Sequence, residues 1–194
     1  MKMFTTKINL LIAFCLFMSA GLFAQICIEK IYLGGGAGFT KLTGDIGEDG
    51  SGGLTYFVDG AVYLTPQLAV GGEGNFNLHG YKNGFYELKI RNANLFLAKA
   101  EYYFIDNSFS PFAGLGLGLS NIVRPEVLIV DSAGNESVLV GKDNRINLAV
   151  SPRVGFVAGG FLMEFIYNFA GKEPSVEGLE TFTYNFWTLS LGYR

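Results

Sequence analysis

Apolar residues alternate with small or polar ones, with a period of two, along eight stretches of the chain. This is the pattern of β-strands with two unlike faces. The predicted strands are 30–41, 54–64, 68–79, 86–104, 112–123, 146–158, 161–170 and 183–193. In the first, Ile31, Leu33, Gly35, Ala37 and Phe39 share one face, against Tyr32, Gly34, Gly36, Gly38 and Thr40. The second sets Leu54, Tyr56, Val58, Val62 and Leu64 against Thr55, Asp59 and Tyr63. The third sets Leu68, Val70, Phe76 and Leu78 against Glu73, Asn75 and Asn77. The fourth sets Phe96, Ala98, Ala100, Tyr102 and Phe104 against Lys99 and Glu101. The fifth alternates Ala113, Leu115, Leu117 and Leu119 with Gly114, Gly116, Gly118 and Ser120. The sixth places Ile146, Leu148, Val150, Val154 and Phe156 opposite in phase to Arg153. The seventh places Phe161, Met163, Phe165, Tyr167 and Phe169 opposite in phase to Glu164. The last sets Trp187, Leu189, Leu191 and Tyr193 against Phe186, Thr188, Ser190 and Gly192.

The contrast between the faces selects a fold class. One face is aliphatic and aromatic on every strand, and the other is small or charged. No segment is patterned as a helix that would cover the apolar face. A soluble ligand-binding barrel has the reverse arrangement, with an apolar lumen and a polar exterior. A closed antiparallel barrel in a bilayer satisfies its backbone polar groups and turns the apolar face to lipid. Strands of about 10 residues at a tilt near 40° match the hydrocarbon slab. The predicted fold is therefore all-β, a closed eight-stranded transmembrane barrel.

The connections carry a second regularity. They are 42–53, 65–67, 80–85, 105–111, 124–145, 159–160 and 171–182. The long, glycine- and acid-rich ones alternate with short ones, which puts the long loops outside and both termini on the periplasmic side. Two girdles of aromatic residues are expected at the membrane boundaries. The one at the short-turn end would comprise Tyr63, Tyr102, Tyr103, Phe104, Phe112, Phe161 and Tyr193. The one at the long-loop end would comprise Tyr81, Phe85, Tyr86, Phe182 and Tyr184. Within the fourth strand, Asn92 and Asn94 take the outward phase unless a bulge intervenes or the strand rises above the bilayer. The stretch 124–145 reads as a hairpin outside the membrane, with Val127–Val130 and Val138–Val140 flanking a turn at 131–134. A ten-strand barrel is the alternative.

The N-terminus adds a compartment. Lys2 and Lys7 precede an uncharged apolar run over 8–23, and Ala24 precedes Gln25. That is the layout of a secretory signal peptide at 1–24, followed by one barrel domain at 25–194. Neither Cys15 nor Cys27 follows the small residues that lipid attachment requires. Cleavage would remove Lys2 and Lys7 from the 14 basic residues and none of the 17 acidic ones, for a net charge of −5. An acidic chain has no electrostatic case for binding nucleic acid. Cys27 would be the sole remaining cysteine, so no internal disulfide is expected.

On these residues the chain resembles the small eight-stranded outer-membrane barrels, the superfamily of the outer-membrane protein A barrel domain. The likeness extends over the mature chain. It rests on Ser110–Ser120 (SPFAGLGLGLS), on Tyr63–Gln67 (YLTPQ) at a tight turn, and on the closing Trp187–Arg194 (WTLSLGYR). The resemblance implies residence in the cell outer membrane of a Gram-negative bacterium. It implies contact with outer-membrane lipid and lipopolysaccharide, and delivery by the outer-membrane insertion machinery. The insertion signal would be Trp187, Leu189, Leu191 and Tyr193, with Arg194 following the terminal aromatic residue. The peptidoglycan-binding domain of longer relatives is not expected here.

Candidate chemistry lies on the inward phase. Glu73, Lys99, Glu101, Arg153 and Glu164, joined by Asp59, are expected near mid-height of the lumen. Buried charges must pair, so they should form a network centred on Arg153 and Lys99. The structural reading is a plug, and the alternative is a gate in a narrow porin-like channel. Gly114, Gly116 and Gly118 resemble a nucleotide loop only superficially, because they alternate within a strand. His79 is the only histidine. It takes the inward phase at a strand tip, without the neighbouring serine that an outer-face, lipid-modifying hydrolase would need. Asp45, Glu48 and Asp49 lack the spacing of a calcium loop. No catalytic, cofactor or metal site is expected, and no enzyme activity. The expected role is structural or surface-interacting, with an extracellular ligand contacted through 42–53, 124–145 and 171–182.

Overall fold

The computed structural model describes residues 30–43, 52–83, 86–105, 107–124, 127–130, 136–140, 143–172 and 183–194. The expected leader at 1–24, Cys27, and the acids at 45, 48 and 49 lie outside these residues, as do Phe85 and Phe182. Ten strands follow one another: β1 (Ile31–Thr43), β2 (Gly52–Tyr63), β3 (Leu68–Asn83), β4 (Tyr86–Tyr103), β5 (Phe109–Arg124), β6 (Val127–Val130), β7 (Glu136–Val140), β8 (Asp143–Ala158), β9 (Phe161–Lys172) and β10 (Thr183–Tyr193). Eight of them close an antiparallel barrel in the order β1-β10-β9-β8-β5-β4-β3-β2. β6 and β7 pair only with each other, as a hairpin in the long connection between β5 and β8. The barrel therefore has eight strands and not ten.

Closure follows from the register. β1 pairs with β10 from Gly35↔Tyr193 to Thr43↔Asn185 and with β2 from Ile31↔Val62 to Lys41↔Gly52, so no strand edge is left open. Pro152 sits in β8 with no N–H to give. The β8–β9 pairing skips from Val150↔Phe169 to Arg153↔Ile166 around it, and the barrel closes on either side. The β8–β9 turn is Gly159-Gly160, both left-handed at φ 57° and 87°, as a two-residue hairpin of the strand-matching type requires. A side chain at Gly160 would also collide with the Tyr193 ring, 2.6 Å from the position of its Cβ.

The outward phase of every strand is as the alternation predicts. Leu33 and Leu148 are each 81 % exposed, and Ile31, Phe39, Leu54, Val58, Phe96, Leu117, Ile146, Phe165 and Leu191 are exposed with them. Among the residues whose side chains are described, Lys41 is the one charged residue on this phase of the barrel strands. A continuous apolar belt of this kind would be unstable in water and is the surface a barrel presents to lipid.

Several strands run further toward the long loops than the alternation indicates. β2 starts at Gly52, β3 continues to Asn83 and β8 starts at Asp143. Ladder hydrogen bonds need no apolar face, so pairing outlasts the pattern. His79 is thus four residues inside β3 and not at its tip. β4 holds its parity without a bulge from Asn92↔Val123 to Tyr103↔Phe112. Asn92 and Asn94 accordingly take the outward phase beside Asn121, toward the long-loop end of the barrel.

The inward face departs from expectation in composition. Besides small and charged residues and the expected Phe186, it carries Phe57, Leu95, Leu97, Ile122, Leu162 and Ile166, all buried. Tyr103, Phe112 and Tyr184 also turn inward and are buried, and Tyr63 packs against the cluster that holds Tyr103 and Phe112. These four do not belong to the membrane-boundary girdles. An eight-stranded lumen is closed by side chains, and where glycines line one wall, rings from the other fill the space.

Candidate functional site

The lumen is layered along the barrel axis. At the short-turn end, Tyr32, Tyr63, Tyr103 and Phe112 stack around Phe57, Ala61, Ala69 and Leu162. The Tyr63–Tyr103 and Tyr103–Phe112 ring centroids are 5.5 and 5.3 Å apart. At the long-loop end, Leu42, Leu95, Leu97, Ile122, Tyr184 and Phe186 form an apolar cap. Between them lie a charged layer and, above it, a neutral polar layer.

The charged layer gathers all six predicted side chains: Asp59, Glu73, Lys99, Glu101, Arg153 and Glu164, each at most 6 % exposed. Strand position explains the convergence. Asp59 and Glu73 are cross-strand partners on β2 and β3. Lys99 and Glu101 follow on β4, two residues apart on one face. Arg153 and Glu164 come from the opposite wall, on β8 and β9. The layer lies nearer the short-turn ends of these strands than mid-height, because β3, β4 and β8 lengthen on the other side.

Arg153 spans the lumen to Glu73. Nη1 meets Oε2 closely, and Nη2 donates to Oε1 at 3.2 Å. The same Nη1 lies 3.6 Å from Glu164 and 3.8 Å from Glu101. Lys99 donates to Asp59 and, at 3.1 Å, to Glu101, with Glu73 at 3.7 Å. These contacts offset the desolvation cost of the buried charges, which is on the order of several kcal/mol for each ion.

Arg153 fits because β5 is glycine-lined opposite it. A Cβ on Gly114 would lie 3.1 Å from Arg153 Cγ, and one on Gly116 would lie 3.2 Å from Nη2. Gly114 and Gly116 are therefore the space through which the arginine side chain crosses.

Arg194 is a third cation, beyond those the alternation of the strands assigns to the lumen. Its guanidinium folds under the barrel wall, donating to Glu101 at 2.9 and 3.0 Å and to the Tyr103 hydroxyl at 2.8 Å. Nη2 lies 3.0 Å from Asp59. Tyr32 and Phe112 flank it, their ring centroids 4.8 and 5.3 Å from Cζ. The Tyr32 and Tyr103 hydroxyls donate to Glu101 Oε2 at 2.8 and 3.0 Å. The one signal for it in the sequence is parity. Tyr193 faces out, so the next position faces in, directly below Asp59 and Glu101.

The neutral layer holds two hydrogen-bonded groups: Thr55 donates to Asn75 at 2.8 Å, and Ser151 and Thr188 flank Asn168 at 2.7 and 3.3 Å. His79 lies above it, fully buried. Its Nε2 is 3.0 Å from Thr40 Oγ1, its Nδ1 is 2.9 Å from the Tyr184 hydroxyl, and Phe186 packs edge-on. The four residues of the expected insertion signal, Trp187, Leu189, Leu191 and Tyr193, share the outward face of β10. Among the described residues, no three His, Cys, Asp or Glu side chains are arranged to hold a metal ion.

No protein-family model and no curated protein matches the chain. Solved structures do. Neisserial surface protein A (NspA) superposes with a TM-score of 0.54 at 20 % identity, over 84 % of this chain and 94 % of that one. Ail, the attachment invasion locus protein of Yersinia pestis, aligns at 14 % identity over 84 % and 96 % with a TM-score of 0.47. The outer membrane enzyme PagL aligns at 18 % identity over 82 % and 97 % with a TM-score of 0.41. At such identity the likeness to Neisserial surface protein A is one of fold. With the closed eight-stranded topology and the apolar exterior, it defines the class: a small outer-membrane β-barrel protein.

Proposed function

We propose that the protein serves the outer membrane as a non-catalytic structural and surface-interaction barrel whose lumen is plugged. The observation that carries this reading is the charged layer itself. Four carboxylates and three cations, Arg194 included, join both walls of the lumen, with apolar layers above and below. Its exterior partners are membrane lipid, lipopolysaccharide and an extracellular ligand met by the long loops. Residues 1–24 act as a cleaved leader. Trp187, Leu189, Leu191 and Tyr193 present the face read by the insertion machinery. The burial of His79 between Thr40 and Tyr184, away from the outer face, supports a non-enzymatic role.

A second reading, a narrow gated pore, is favoured by one feature. Lys99 Nζ lies 3.7 Å from Glu73, the carboxylate that Arg153 holds, while Arg153 lies 3.6 Å from Glu164. An exchange of partners is therefore short in distance. Purified protein in planar bilayers separates the two readings. The plug predicts a silent membrane for the wild type. Stepwise currents in the wild type, altered by Arg153→Ala, would establish the pore and sink the plug.

A further inference from the structure

Among the residues whose side chains are described, the exterior of the barrel carries one charge. Toward the long-loop end of β1, Lys41 faces outward and is exposed, and it has no carboxylate partner among the described residues. Its cross-strand neighbours are unequal: Trp187 on the β10 side and Gly52 on the β2 side. Directly below lie Phe39 and its partner Leu54, both exposed. The missing side chain at Gly52 leaves an open groove of about 410 Å³ lined by Phe39, Lys41, Leu54 and Trp187, with the β1 and β2 backbone as its floor. A cation and an indole thus sit at the membrane boundary, over an apolar slot that runs into the lipid belt.

We propose that this groove binds a lipid A molecule of lipopolysaccharide. One acyl chain would lie in the slot over Phe39 and Leu54, and a lipid A phosphate would pair with the Lys41 ammonium. Three observations converge on that occupant. The lysine is at the long-loop end, where the outer leaflet meets water, and anionic head groups attract cations at that depth. The slot is mostly apolar and continuous with the lipid-facing surface, so an acyl chain fills it while covering little polar surface. Indole rings settle at the head-group boundary, with the ring against acyl chain and the N–H toward the polar region. The inference rests on the outer-membrane orientation adopted above.

Trp187 is the only tryptophan in the chain, so its emission reports on the groove directly. The refolded full-length protein in neutral detergent micelles would be titrated with bisphosphorylated lipid A, dephosphorylated lipid A, phosphatidylglycerol and phosphatidylcholine. The expected result is a saturable change in Trp187 emission with bisphosphorylated lipid A. Lys41→Gln should weaken it roughly five- to tenfold. Gly52→Leu should abolish it with Lys41 intact, because a Cβ at Gly52 meets nothing closer than the Thr40 carbonyl oxygen at 3.7 Å and so fills the slot without moving the wall. Equal responses in wild type and Lys41→Gln, or equal responses to lipid A with and without phosphate, would overturn the proposal. An equal response to phosphatidylglycerol would also overturn it, by assigning the site to phospholipid. A barrel that resists SDS until heated but fails these tests loses the lipid site and keeps the outer-membrane reading. A chain that migrates identically boiled and unboiled, and is recovered soluble, loses both.

Discussion

Gly114 and Arg153 are cross-strand partners on β5 and β8, and the side chain missing from one is occupied by the stem of the other. A Cβ on Gly114 would lie 2.7 Å from the Ala100 carbonyl oxygen, 3.0 Å from Glu101 Cγ and 3.1 Å from Arg153 Cγ. Gly114→Val should therefore displace Arg153 from Glu73 and cost about 1–3 kcal/mol by overpacking alone. Urea unfolding in lipid vesicles measures this. An unchanged midpoint would mean that the glycine face is not space for the arginine.

The Arg153–Glu73 pair should behave as a unit. Arg153→Ala leaves Glu73 buried beside a lost partner, a loss of about 3–5 kcal/mol. Arg153→Met with Glu73→Gln removes both charges at similar volume and should recover most of that loss. A double-mutant cycle read by unfolding in vesicles would show the coupling. Simple additivity of the two single changes would rule out the pairing as drawn.

Arg194 should stabilise the short-turn end through its charge, its planar contacts with Tyr32 and Phe112, and its paired donors to Glu101. Arg194→Ala should lower the temperature at which the folded band is lost on SDS gels. Arg194→Lys should fall between, because an ammonium keeps the charge but not the fork. If alanine and lysine variants match the wild type, Arg194 does not contribute to the plug.

Leu117 and Asn121 lie on the outward face of one strand at different depths. Leu117→Arg, in the apolar belt, should cost roughly 2–4 kcal/mol, and Asn121→Arg, toward the long loops, no more than about 1 kcal/mol. Equal costs would contradict the placement of the bilayer around the belt.

The two-faced strands and the inward phase of six charged residues are legible in the sequence, while eight barrel strands against ten is decided by the pairing of β6 with β7 alone. Period-two alternation maps directly onto the two faces of a sheet, so parity alone assigns Asp59, Glu73, Lys99, Glu101, Arg153 and Glu164 to the lumen. Other features are not legible, for physical reasons. Tyr103, Phe112 and Tyr184 are aromatic residues near strand ends, the type found at a membrane boundary, but phase outranks residue type, and their phase is inward. The alternation understates strand length at 52–53, 80–83 and 143–145, since backbone pairing carries no hydropathy signal. Asn92 and Asn94 admit either a bulge or a strand that rises beyond the apolar belt, and β4 keeps its register there without a bulge.

The alternation of faces, with no helix to cover the apolar one, is enough to require a closed barrel with an apolar exterior, because a single strand's pattern already states what each face can tolerate. Which inward groups meet is a different kind of fact. The Arg153–Glu73 contact, the reach of Arg194 to Asp59 and Glu101, and the groove between Lys41 and Gly52 all join separate strands. They depend on the stagger at which the sheet closes on itself. No local pattern encodes that stagger, and closing the barrel sets it for every strand at once.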